Sequence, residues 1–171
     1  MKKIILVWLT LLLTSCGFHP RGEVTLPPNM QSVYIKTNDP YGWLALGLEN
    51  YFKTSGTYIA TSPKDADITI NILHVDKGQQ LLSVSGTQQT RQYNLVLTAT
   101  FQLLNAQGKT TVEQQTVSET RVLTVAADQI LGGSNEADNL YAQMHQPIIY
   151  DIISRITSRD VTAELEQHKK P

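Results

Sequence analysis

Cysteine is almost missing from this chain. Cys16 is the only one in 171 residues, so no disulfide can form within a chain. A domain of this composition must hold together by burial, without covalent cross-links. Charge is also sparse, at 17% of residues against a usual quarter. Threonine and glutamine fill the gap, which suits uncharged polar strand faces. Neither sign dominates: 14 basic residues face 15 acidic ones, for a net charge of −1. A balance like that lacks the basic footprint of general nucleic-acid binding, so no nucleic-acid partner is expected. The longest charge-free apolar run, Ile4 to Leu13, is about ten residues, half the roughly 20 a bilayer-spanning helix needs. There is no Gly-x-Ser-x-Gly elbow and no phosphate loop. His19, His74, His145 and His168 do not have metal-ligand spacing. Asp65 and Asp67 flank Ala66 at the entry to a strand and read as loop residues, not an acid/base pair. No catalytic residue, no metal and no soluble cofactor is therefore expected.

What is present begins at the N-terminus. Met1, Lys2 and Lys3 precede the apolar run, and Leu13-Thr14-Ser15 precede Cys16. A basic start, a short apolar stretch and small residues describe a bacterial secretory signal. The tetrad ending at Cys16 resembles a lipobox; the alternative is a plain signal peptide with an incidental cysteine. The lipobox reading implies diacylglyceryl transfer to the Cys16 sulfur, cleavage before Cys16 and acylation of its new amine. The covalent lipid on Cys16 is the one non-protein group expected. Cleavage leaves 12 basic and 15 acidic residues, a mature net charge of −3. Two or more acyl chains anchor a protein stably, whereas a single one binds only at about 10⁴ M⁻¹. An aspartate after the cysteine is the familiar inner-membrane retention signal. Gly17 stands there instead, which favours the outer membrane.

The organisation follows from the breakers. Residues 1–15 are the signal and 16–30 an acylated tether, rich in proline and glycine (Pro20, Gly22, Pro27, Pro28). Residues 31–159 form one α+β domain, and 160–171 a polar, flexible tail. Ser32 to Lys36 reads as a strand. Trp43 to Thr54 has helical spacing, with Leu44, Leu48, Tyr51 and Phe52 on one stripe and Asn38 or Asp39 as its cap. Asp67 to Val84 reads as one long strand with a kink or bulge at Gly78. Tyr93 to Leu103 alternates strictly, apolar against polar, and Thr110 to Leu123 returns beyond a turn at Asn105 to Gly108. Ser134 or Asn135 caps a last helix in which Leu140, Met144, Ile148, Ile152 and Ile156 recur every fourth residue, with Pro147 inside it. The order predicts a two-layer sandwich: a mixed four-stranded sheet with two helices packed on one face.

Two features suit ligand binding. Gly132-Gly133-Ser134-Asn135, at a helix start, would offer backbone N–H groups to an anion. If the turn at Asn105 to Gly108 is tight, Tyr93 pairs with Arg121 and Arg91 lies diagonally nearby. Two guanidiniums at a sheet end could grip a phosphorylated glycolipid by forked hydrogen bonds.

By this point the chain resembles the LptE family of outer-membrane lipopolysaccharide-assembly lipoproteins. The residues that carry the likeness are Cys16-Gly17-Phe18-His19-Pro20-Arg21-Gly22, Asn38-Asp39-Pro40-Tyr41-Gly42, Gly86 to Leu104 with Thr90 and Tyr93, and Asn135-Glu136 leading into a helix with Met144 and Ile152. The resemblance implies a plug and scaffold held by an LptD-type β-barrel. It implies help in that barrel's assembly, and binding of lipopolysaccharide as it is inserted at the cell surface. It also implies an outer-membrane, periplasm-facing location through the lipid anchor. One departure matters. Some family members place basic residues at the sheet's hairpin tip and just before the second helix, where this chain has Ser85-Gly86 and Gly132-Gly133. Arg91 and Arg121 are the candidate substitutes. An accessory lipoprotein of another envelope lipid-transport system is the alternative reading.

Overall fold

The computed structural model describes residues 30–86, 90–126, 130–158 and 160–163, with no side chains described for 130–132. Cys16, His19, His168 and most of the expected tether and tail lie outside them. Strand β1 (Ser32–Lys36) leads to helix α1 (Trp43–Thr54), a two-residue strand β2 (Tyr58–Ile59) and a 3-10 turn (Pro63–Asp65). Three long strands follow, β3 (Ile68–Val84), β4 (Thr90–Asn105) and β5 (Thr110–Ala126), and then helix α2 (Ile130–Ile156).

The α+β class and mixed sheet are as expected, but among the described residues the sheet has five strands and not four, in the order β2-β1-β3-β4-β5. Among the described residues the helical segments also exceed the expected two, with the 3-10 turn and a short helical run at 160–163. Strand β2 escapes a sequence reading because two residues show no alternation. Only its parallel register with β1, Ser32 to Tyr58 and Val33 to Ile59, identifies it. The crossover from β1 through α1 to β3 is parallel. The two hairpins that follow are antiparallel.

Strand β3 is continuous, and its irregularities are not at Gly78, which pairs regularly with Val96. They fall between Ile72 and His74 and between Leu81 and Ser83, so Leu73 and Leu82 are the extra residues. Each bulge changes which residues face the helices. Ile68, Ile70 and Ile72 face inward before Leu73. After it Val75, Lys77, Gln79 and Leu81 do, because they oppose Ala99, Leu97, Leu95 and Tyr93. Directly opposed residues share a face.

Both helices cover that inner face. Phe52, Ile70, Leu97, Phe101, Leu103, Met144, Ile148 and Ile152 are buried among one another in a single core. Gly47 of α1 packs against α2, and a Cβ there would run into Ile149 Cδ1. Met30, expected in the tether, is buried and belongs to the core. Residues 160–163, expected in the tail, are helical. The Ser158 Oγ accepts from the Val161 N–H at 3.4 Å, and Val161 is buried.

The opposite face of the β3-β4-β5 sheet carries no described helix. In register across it lie His74, Asp76, Gly78, Gln80 and Ser83, then Gln92, Asn94, Val96, Thr98 and Thr100, then Thr116, Ser118, Thr120, Val122 and Thr124. Asp76 is the one carboxylate among these fifteen positions, and no lysine or arginine is present. The Thr100 and Thr116 hydroxyls hydrogen-bond across the strands at 3.1 Å.

Two expected caps are also different. Gly42 caps α1 without any side-chain hydrogen bond, while its N–H donates to the Asp39 carbonyl at 3.2 Å. Pro40 and Tyr41 set Asp39 too far from the helix start to cap it. Helix α2 starts at Ile130, so Gly132 and Gly133 lie inside its first turns and Ser134 and Asn135 do not cap it. Gly133 has a packing reason: a Cβ there would stand 3.0 Å from a Val125 methyl. The missing side chain lets α2 close onto β5.

Candidate functional site

Where α2 meets the far ends of the long strands there is a cleft of about 250 Å³. Gln79 of β3, Arg91 and Tyr93 of β4, Leu123 and Val125 of β5, and Gly133, Ser134 and Ala137 of α2 line it. The bulges at Leu73 and Leu82 bring Gln79 onto this face, beside Arg91 and Tyr93. Leu123 and Ala137 are buried, Tyr93 is half-buried and Arg91 is exposed. The result is an apolar floor with a guanidinium at its mouth. Arg91 forms no ion pair among the described residues.

The second expected arginine is elsewhere. Tyr93 pairs with Leu123, and Arg121 pairs with Leu95. Irregular register between Phe101 and Leu104 moves β5 by two residues relative to a tight hairpin. The position opposite Arg121 is four residues from Arg91 along β4, about 13 Å at roughly 3.3 Å per residue. Both arginines are on the helix-covered face, but they do not form a pair. Arg121 Nη1 donates instead to Glu119 Oε1, and also to the Thr120 carbonyl at 2.9 Å. Glycines inside α2 likewise remove the anion site expected at a helix start from Gly132 to Asn135.

A second polar cluster lies nearer the middle of α2. The His145 ring stacks on Trp43, with centroids 4.0 Å apart and planes 4° from parallel. Its Nε2 is buried and has no hydrogen-bond partner among the described residues. Burial, and then the positive charge of Lys77, hold the His145 pKa below the usual histidine value. The Lys77 ammonium sits 5.0 Å from the centre of the Tyr141 ring. The Tyr141 hydroxyl donates to the Gly78 carbonyl at 2.7 Å. Burial, and then Asp138, push the Tyr141 pKa up. The cluster ties α2 to β3 and has no nucleophile with a base beside it. His74 is exposed on β3. No group of three His, Cys, Asp or Glu among the described residues could hold a metal ion. No described helix is long and apolar enough to cross a membrane.

A positively charged rim over an apolar cleft can hold an amphiphilic anion. The guanidinium takes phosphate or carboxylate through forked hydrogen bonds, and the floor takes hydrocarbon. Gln79 carried no sequence signal for this site, while Tyr93 and Ser134 stood in the two separate features that the sequence offered for ligand binding. They meet only because two strand bulges and the approach at Gly133 bring them together.

Comparison with known proteins bears on the whole domain. Residues 30–156 match the model of the LptE family, described as lipopolysaccharide-assembly. The LPS-assembly lipoprotein LptE of Yersinia enterocolitica is 30% identical over 103 residues, 59% of this chain and 50% of that protein. The one from Pectobacterium atrosepticum is 28% identical over 102 residues, 59% of this chain and 55% of its own length. This chain thus spans about half the length of the curated relatives it matches. Among solved structures, an uncharacterized lipoprotein B from Nitrosomonas europaea superposes with a TM-score of 0.68 at 27% identity, covering 89% of this chain and 97% of that one. A rare lipoprotein B from Shewanella oneidensis shares the fold, with a TM-score of 0.62 at 18% identity over 78% of this chain and 98% of its own.

Proposed function

The chain belongs to the LptE family, and we propose that it works as a non-enzymatic outer-membrane lipoprotein in lipopolysaccharide assembly. In this reading Cys16 carries the lipid anchor, and the domain partners an LptD-type β-barrel as plug and assembly scaffold. Lipopolysaccharide passes against it during insertion at the cell surface. The observation that carries the ligand half is Arg91, a guanidinium at the mouth of an apolar cleft with no ion pair among the described residues. A phosphorylated, acylated glycolipid presents the matching chemistry, anion beside hydrocarbon. Arg121 is the second proposed contact, weaker because Glu119 already engages it. The bare sheet face supports the barrel half. A surface with one carboxylate in fifteen positions loses little solvation when another polar wall covers it.

Three measurements test this reading. Arg91→Glu should weaken lipopolysaccharide binding by roughly tenfold or more, the scale of one lost charge-assisted contact, with the circular-dichroism melt unchanged. Arg121→Glu should have a smaller effect. Equal binding by both variants and the parent chain removes the arginines from the site. Detergent extraction followed by mass spectrometry should recover one large β-barrel at a one-to-one ratio. Recovery of inner-membrane or periplasmic transport proteins instead would favour the accessory-lipoprotein alternative. Intact mass should show the acyl groups on a chain that begins at Cys16.

A further inference from the structure

Strand β1 pairs with β3 only from Ile68 to Asn71. From Ile72 to Val84 the same edge of β3 has no strand beside it among the described residues. Long open edges are usually blunted, because their unpaired N–H and C=O groups accept another strand. Here the bulges at Leu73 and Leu82 only bound the open segment, and residues 74–81 between them run in regular register with β4. Val75 and Leu81 face the helix side of this segment yet stay 39% and 52% exposed. Lys77, a residue type that often guards an edge, has its ammonium on the Tyr141 ring.

We propose that this edge docks a second copy of the chain: two β3 strands pair antiparallel about a two-fold axis at Gly78, joining two sheets into one of ten strands. The sequence of the edge selects the register. Residues opposed across an antiparallel ladder share a face, so the odd-numbered inner residues must meet odd-numbered ones. An axis at Lys77 would oppose Lys77 to itself. An axis at Gln79 would set Lys77 against Leu81 and run Val75 into the bulged end. An axis at Gly78 opposes Val75 to Leu81 of the second copy twice over, Lys77 to Gln79 and Asp76 to Gln80. Apolar then meets apolar and no like charges face each other. Gly78 itself brings no side chain to the axis. This inference concerns the chain on its own and does not rest on the barrel partnership; a barrel that covered the same edge would compete with it.

The test uses the full-length chain in density-matched detergent. Sedimentation should show a protein mass that doubles with rising concentration. Gly78→Cys should give a disulfide-linked dimer under mild oxidation, while Val122→Cys, exposed on the far strand, and the unaltered chain should not. A cysteine fits at 78, since a Cβ there meets only Val96 atoms at 3.8 and 3.9 Å. Val75→Lys should lower the association constant about tenfold, the scale of losing two opposed apolar pairs. Adding Leu81→Glu should restore it, because residues 75 and 81 face each other across the axis. A chain that stays monomeric at every concentration overturns the proposal. So does equal cross-linking by the two cysteine variants, or a Val75→Lys variant that associates like its parent.

Discussion

One carboxylate oxygen, Asp67 Oδ2, accepts hydrogen bonds from the Gln31 N–H at 3.1 Å, the Ser32 N–H at 3.0 Å and the Ser32 hydroxyl at 3.1 Å. The Asp67 N–H in turn donates to Ser32 Oγ at 2.9 Å. This side chain fastens the start of β1 to the start of β3, where the parallel pairing begins. Asp67→Ala should cost about 2 kcal/mol in urea unfolding, with Asp67→Asn costing less, since hydrogen bonds to a charged group contribute about 1.5–3 kcal/mol. His145 makes a different prediction. Its folded pKa lies below the unfolded value of 6.5, so the fold favours the neutral ring. Its contribution is present above pH 6.5 and is lost as the pH falls through the lower folded value. Urea midpoints should therefore drop between pH 7 and pH 5.5. His145→Phe, which keeps a ring against Trp43, should flatten that slope.

At the scale of elements, glycine decides how closely the layers approach. Gly47 on α1 faces Ile149 on α2, and Gly133 on α2 faces Val125 on β5. Gly47→Val should lower stability by about 1–3 kcal/mol, the range for overpacking a filled contact, despite leaving a poor helix former. Thermal melts would check this, and an unchanged midpoint would mean that Ile149 simply moves aside. Alternation in β4 was readable because the strand lies between two partners and, among the described residues, helices cover one side only. The pattern of β3 was not, because Leu73 and Leu82 look like ordinary strand residues. The energy that makes them bulges comes from aligning two faces with β4, a non-local choice. In α2 the four-residue apolar rhythm located the helix. Its first residue did not follow, because packing against Val125 outweighs the usual preference of glycine for helix ends.

Across the described residues, one face of the long-stranded sheet holds the core and the other carries no helix. That division predicts how charge will be tolerated. Thr98→Lys together with Thr120→Lys, both on the bare face, should leave folding stability within about 0.5 kcal/mol. If a polar barrel encloses that face, the same pair should abolish co-purification with it. Normal recovery of the barrel with the double variant would place its contacts elsewhere on the domain.

The order of the longer elements, the α+β class, the alternating β4 and the family likeness were all legible in the residues, because each depends on local period or on motifs in a row. Arg91 was legible as a candidate, but its cleft was not. Pairing across β4 and β5 slid by two residues at an irregular turn end, which parted Arg121 from Arg91 and gave it to Glu119. Strand β2, the bulges in β3 and the seat of Gly133 were likewise settled only in three dimensions. Each is a compromise between distant segments, and a one-residue change in register turns a whole face over without altering any local preference.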